Sequence, residues 1–198
     1  MASSAYAQHI PVPVMSAEEV GGYMATGAEL ETRIDGDLNG DGEIDTVFIE
    51  RGEDRRALTV MLAYRAETDM GHEAKGVLEL DAYPLGAATL TIKKGVLVIE
   101  DLTGGTTAVN ATYRYRYDPA ASRMRLIGLD AKQYSRTNAH GWSSISWNLL
   151  NGDFVRQQAA LHEGPGDAAY DTPVSKTTKR QVKAIYMEET PSPEDLLN

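Results

Sequence analysis

The sequence contains no cysteine. Disulfides, thiolate metal sites and a cysteine nucleophile are therefore excluded. No apolar run approaches the ~18 residues needed to cross a bilayer as a helix, so membrane insertion is not expected. Basic side chains are few. There are 19 Lys and Arg against 29 Asp and Glu, giving a formal net charge of −10 and a pI near 4.8. That balance argues against nucleic acid or an anionic membrane as a partner, since both need a basic surface, so no nucleic-acid partner is expected. No period of 20–50 residues recurs, which argues against a solenoid. The 198 residues, 42% of them apolar, are enough for one domain with a core.

Catalytic patterns are equally scarce. The histidines are His9, His72, His140 and His162. None has H-x-x-x-H spacing, and all fall in stretches that read as loops. His140-Gly141-Trp142-Ser143-Ser144 sets a histidine near two serines, but no G-x-S-x-G elbow surrounds them. Triad members meet only in the fold, so sequence order does not decide the matter. Asp69, Glu73, Asp81, Glu100 and Asp101 could supply an acid pair for glycoside hydrolysis, which needs a set separation across a cleft. Charged strand ends account for them as well. A secreted hydrolase, with its catalytic groups in the His140 loop or the 67–75 loop, is thus the alternative function, and no catalytic residue is assigned. Asn110-Ala111-Thr112 is a glycan acceptor pattern, meaningful only in a eukaryotic secretory host.

One stretch carries definite chemistry. Asp37-Leu38-Asn39-Gly40-Asp41-Gly42-Glu43-Ile44-Asp45 spells D-x-N-x-D-G-x-x-D. Side-chain oxygens fall at loop positions one, three, five and nine, with a glycine at six. Calcium is a hard cation that takes six to eight oxygens. Alternating residues in a tight loop turn inward, Gly42 permits the bend, and Glu43 offers its backbone carbonyl rather than its carboxylate. Asp, Asn and Gly also build turns without any metal. Residues 35–45, however, hold five acidic side chains in eleven positions, and a central cation removes their repulsion. The expected ligands of Ca2+ are Asp37, Asn39, Asp41 and Asp45 through side chains and Glu43 through its carbonyl. An EF-hand is ruled out: position twelve is Phe48, where a bidentate Glu is required, and the flanks 30–34 and 46–50 read as strands.

Strand, oxygen-rich loop and strand together resemble the calcium loops of FG-GAP and VCBS-type repeats over residues 34–49. The resemblance implies the same five ligands. Those families repeat the motif around a propeller, whereas it occurs once here. The wider order of calcium loop, hairpins and acidic tail resembles a group of exported bacterial proteins with one such loop near the front, a likeness that implies no activity. Ala5-x-Ala7 before Gln8 is the small-residue pattern of a signal-peptide end. A periplasmic or secreted calcium-binding protein, non-enzymatic and with a binding or structural role, is the expectation.

The expected fold is mainly β, an antiparallel meander forming a curled sheet, barrel or sandwich, with a short N-terminal helix. Residues 1–15 form a leader, 16–190 a single β-rich domain and 191–198 a tail. The helix starts at a capping box, Ser16-Ala17-Glu18-Glu19. Strands are expected at 58–64, 77–80, 89–92 and 96–99, then at 113–117, 123–129, 144–150 and 154–155, and last at 180–186. Residues 67–75 and 161–175 read as loops. Asn151-Gly152 marks a tight hairpin. Tyr113, Tyr115 and Tyr117 share one strand face and are expected in the core. Trp142, placed in a loop, offers an anchor for a protein or glycan ligand.

Overall fold

In the computed structural model, which describes residues 10–165 and 167–198, the chain runs as two consecutive antiparallel meanders. The first contains β1 (Glu29–Gly36), β2 (Asp45–Arg51), β3 (Arg56–Arg65) and β4 (Met70–Leu80), side by side in that order. The second contains β5 (Thr89–Lys93), β6 (Val96–Gly104), β7 (Thr107–Asp118), β8 (Arg123–Ser135), β9 (Trp142–Asn148), β10 (Asp153–Ala159) and β11 (Val174–Lys179). Every strand pairs with its neighbour in the chain. The expected antiparallel meander is what forms, as two stacked sheets with no closed barrel. The Ala5-x-Ala7 pattern and His9 lie outside the described residues.

Alternation builds the layer between the sheets. Ile49 of β2, Leu58 and Val60 of β3, Ile99 of β6, Tyr115 of β7 and Leu126 of β8 bury there. The first sheet is covered on its other face too. Met15 and Val20 pack on Phe48 and Met61 from the extended segment before α1 (Ala17–Tyr23) and from α1 itself. β2 and β3 therefore bury residues of both parities, the pattern of a sheet covered on both sides. The capping box forms: the Ser16 hydroxyl accepts the Glu19 amide, and the Glu19 carboxylate accepts the Ser16 amide.

The tyrosine stripe lies as expected. Tyr113 and Tyr115 are buried with rings 6.5 Å apart, and Tyr117 packs partly against the same core. On β7 and β8, Arg114 pairs with Asp130, and Arg123 with Glu188 and Glu189. Arg116 instead stands opposite Arg125.

Four local expectations are corrected. Residues 70–75 belong to β4, reaching β3 through a bulge at Val60/Met61, so His72 lies on a strand. These residues are polar because the strand is a sheet edge, and their hydropathy gives no alternation. The last strand is β11, not 180–186; its six residues are all exposed on the edge of β10. The 180–186 segment has no ladder, and the Arg180 guanidinium lies 3.5 Å from the Phe154 ring centre. Asn151-Gly152 is half of a four-residue connection, because Leu149 drops into the core instead of continuing β9. Trp142 opens β9 and is half-buried, with the Lys132 ammonium 4.6 Å above its ring. At the C-terminus, α2 (Pro193–Leu197) buries Leu197, and Arg156 donates to the carbonyls of Leu196, Leu197 and Asn198.

Arg56 ties the two sheets together. It projects from β3 into the layer between them and is fully buried. Nε and Nη2 donate to Glu31 of β1 at 2.6 and 2.7 Å. Nη1 and Nη2 donate to Asp101 of β6, both at 2.9 Å, and Nη1 also reaches the Asp81 carbonyl at 3.4 Å. All five guanidinium protons are used. Replacing one partner of such a group strands the others in the interior. Arg56→Met is expected to cost ~3–5 kcal/mol in urea titration, and adding Asp101→Asn to recover part of it. Strictly additive losses in that double-mutant cycle would show that the buried charges are not coupled.

Candidate functional site

Residues 37–44 connect β1 to β2, with Gly36 paired to Asp45 at their foot. Gly40 and Gly42 have φ of 82° and 85°, left-handed values that favour glycine. The loop is laced by its own side chains. Asp37 accepts the amides of Gly40 (2.6 Å) and Gly42 (3.0 Å). Asn39 Oδ1 accepts the Asp41 amide, and Asp41 accepts the Glu43 amide and the Asn39 side-chain NH2. Leu38 points the other way and is buried in the layer between the sheets, plugging one end of the core.

Asp45 differs from its neighbours. It is fully buried, accepting the Leu38 amide at 2.7 Å and the Ala63 amide at 2.9 Å. Burial pushes its carboxyl up to about 6; those two amides pull it down, and the charges of Asp41 and Asp37 add to the rise. Glu43 is also buried, and its carboxylate is engaged away from the loop centre. It accepts the Val12 amide at 2.7 Å and pairs with Arg65 at 3.1 Å, while Arg65 also donates to the Ile10 carbonyl. The loop is thereby joined to the 10–15 segment that covers the first sheet. Sequence reading missed this role of the Glu43 carboxylate; a charged residue within an apolar surround leaves no periodic signal.

For a hard cation the donor set is chemically suitable: every candidate is an oxygen, and each carboxylate oxygen bonded to an amide keeps a second lone pair. The site is not gathered, however. Among the described residues, no three His, Cys, Asp or Glu side chains stand together in a group that could hold a metal ion.

The groups considered for catalysis are scattered. His140 shares a 2.8 Å hydrogen bond with the Thr107 hydroxyl and a 2.7 Å one with the Gly141 carbonyl, and none with Ser143 or Ser144. His162 pairs with Asp171. His72 buries its Nε2 without a partner. Asp69 holds the Tyr64 hydroxyl, and Glu73 pairs with Lys75. Asp81 and Asp101 both line a cavity of about 240 Å3 between the layers, roofed by residues 190–194. Glu100, next to Asp101 on β6, points to the opposite face and is exposed. Asp101 and Thr103 occupy inward positions of β6, where alternation predicts apolar residues. That mismatch was the available signal for the cavity.

The Asp45 carboxyl generates a pH test. In the unfolded chain an aspartate titrates near 3.9, so the native state holds this proton more tightly. Between pH ~4 and ~6 the native protein binds a proton that the unfolded chain has lost, and stability falls as pH rises, by up to ~3 kcal/mol in all. Glu31 and Glu188, whose carboxyls are held below their ordinary range, act in the opposite sense at lower pH. In chelator, wild-type stability minus that of Asp45→Asn should decline from pH 4.5 to 7. A flat difference would refute the assignment. Comparison with family models, curated proteins and solved structures finds no match for the chain, so the site stands on its own geometry.

Proposed function

We propose that the protein is an exported calcium-binding protein without catalytic activity, in which Ca2+ held by residues 37–45 staples the β1–β2 hairpin. One observation carries the reading: a fully buried carboxylate, Asp45, stands at the foot of a glycine-bent loop that presents Asp37, Asn39 and Asp41. Asp37, Asn39, Asp41, Asp45 and the Glu43 carbonyl would hold the ion. A bound divalent cation supplies neutralisation of the loop's crowded negative charge. The chain's own residues do the rest. Leu38 and the Asp45–Ala63 bond seat the loop on the core, and Glu43 ties it to Val12 and Arg65.

The likeness of residues 34–49 to FG-GAP and VCBS-type loops supports the choice of metal. The Ala5-x-Ala7 pattern supports a periplasmic or secreted location, where calcium is abundant enough for a weak extracellular-type site. Magnesium suits the loop less, because it demands near-octahedral geometry and gives up water reluctantly.

Calcium at a hundredfold excess over Kd should stabilise by ~2.7 kcal/mol, which for a chain of this size raises Tm by roughly 5–10 °C. Chelator should reverse the shift, and magnesium should produce much less. Asp41→Ala removes a ligand and a repelling charge together, so it should abolish the calcium shift while barely changing the metal-free Tm. Asp35→Ala, at a position bonded to Arg33 and Thr46 outside the ligand register, should keep most of the shift. A wild-type melting point indifferent to calcium and chelator would reduce the loop to an acidic turn.

A further inference from the structure

The cavity between the layers is built from residues that a sandwich core does not require. Asp101, Thr103, Ala111 and Tyr113 project inward from β6 and β7, Asp81 follows the end of β4, and Glu194 belongs to the C-terminal segment that roofs the space. Among the described residues, no basic side chain lines it. Arg56 reaches Asp101 and the Asp81 carbonyl from behind, but the carboxylates of Asp81, which accepts the Tyr83 amide, and of Glu194 have no cationic partner among the described residues.

Two further groups point to a ligand independently of the acids. Tyr113 and Thr103, each only 6% exposed, line the cavity, and neither hydroxyl has a hydrogen-bond partner among the described residues. Neither is among the sealed, unpartnered polar atoms of the described residues, so both hydroxyls open onto the cavity and are free to meet a ligand's N–H. The tyrosine hydroxyl faces the lining acids: burial foremost, then Tyr115, Asp101 and Glu194, push its pKa up. The roof is fixed over it. Thr190 bonds the Tyr115 hydroxyl at 2.8 Å, the Ser192 hydroxyl donates to Glu194 at 2.6 Å, and Arg156 holds the carbonyls of α2.

We propose that this cavity binds a small organic cation bearing a primary ammonium or guanidinium group. The ligand's N–H donors meet Glu194, Asp81 and the Tyr113 and Thr103 hydroxyl oxygens, and its carbon chain lies on Leu78, Val109 and Pro191. An extended cation suits the site better than a metal ion, because the carboxylates line different walls and do not converge on one point. The volume is below the roughly 300–1,000 Å3 of pockets for drug-sized ligands, which sets the scale at a short-chain amine. The protein's negative field raises the local concentration of any cation at such a cleft.

The test is calorimetric titration of the full chain with cadaverine, with butylamine and glucose as parallel probes. Cadaverine should bind saturably, butylamine more weakly and glucose not at all. Binding should persist in about 0.5 M salt, where attraction to exposed charges is largely screened. Tyr113→Phe keeps the ring and removes only the hydroxyl; it should weaken cadaverine about fivefold, and Glu194→Gln tenfold or more. Asp195→Asn, an exposed neighbour outside the cavity, should leave affinity unchanged. Three results would overturn the proposal: absence of saturable binding, equal weakening by Asp195→Asn and Glu194→Gln, or glucose binding in preference to the amines. None of them bears on the calcium loop, whose residues the cavity does not share.

Discussion

The Arg56 guanidinium is the joint on which the sandwich depends. A sheet pair held by apolar contacts alone can slide, because burial is non-directional. A planar fork with five donors, each met by an oxygen from β1, β6 or the Asp81 carbonyl, fixes the stacking laterally and in rotation. Desolvating three charges is costly, and the arrangement is tolerable only because every proton of the fork is paired. Burial works against its charge, yet the Glu31 and Asp101 bonds prevail and push the guanidinium pKa above its ordinary value. The cavity next to Asp101 exists where this polar joint displaces the apolar packing that would otherwise fill the end of the layer.

The same economy of charge governs the loop between β1 and β2. Its acids are divided by burial: Asp37 and Asp41 close turns near the surface, while Asp45 and Glu43 lie inside. The buried pair links the loop to β3 and to the segment that covers the outer face of the first sheet. A change of charge at the loop is therefore felt by two packing layers. That coupling distinguishes this turn from an acidic surface turn, whose side chains would end in water.

What could be read beforehand followed from periodicity and from turn chemistry. The Ser16–Glu19 box and the Tyr113–Tyr115 face were legible because each is local. Residues 70–75 and 174–179 were misread because edge strands carry polar side chains on both faces, so pairing there is decided by the neighbouring strand. The five oxygen donors of the loop were legible as a spacing. The bonds of Asp45 to Ala63 and of Arg56 to Asp101 were not, since they join residues 18 and 45 positions apart. A charge at an inward position of a strand announces that a partner exists without saying which.

Strict neighbour-to-neighbour pairing has a consequence for how the chain acquires its structure during synthesis. All strand ladders are sequentially adjacent, so within each sheet every strand after the first finds its partner already made, and loop-closure entropy stays small for a β protein. The first sheet is complete at Leu80, before β5 begins at Thr89. Its inner face, with Leu58, Val60 and an Arg56 met so far only by Glu31 of β1 and the Asp81 carbonyl, then waits for Asp101 and Tyr115 to emerge. At ribosomal rates of about 5–20 residues per second that wait lasts a few seconds. For that interval the nascent sheet exposes the apolar surface of its inner face together with an Arg56–Glu31 ion pair that still lacks Asp101. Guanidinium donors not yet met by Asp101 make burial of that face against a wrong apolar partner costly, which disfavours misassociation until Asp101 arrives.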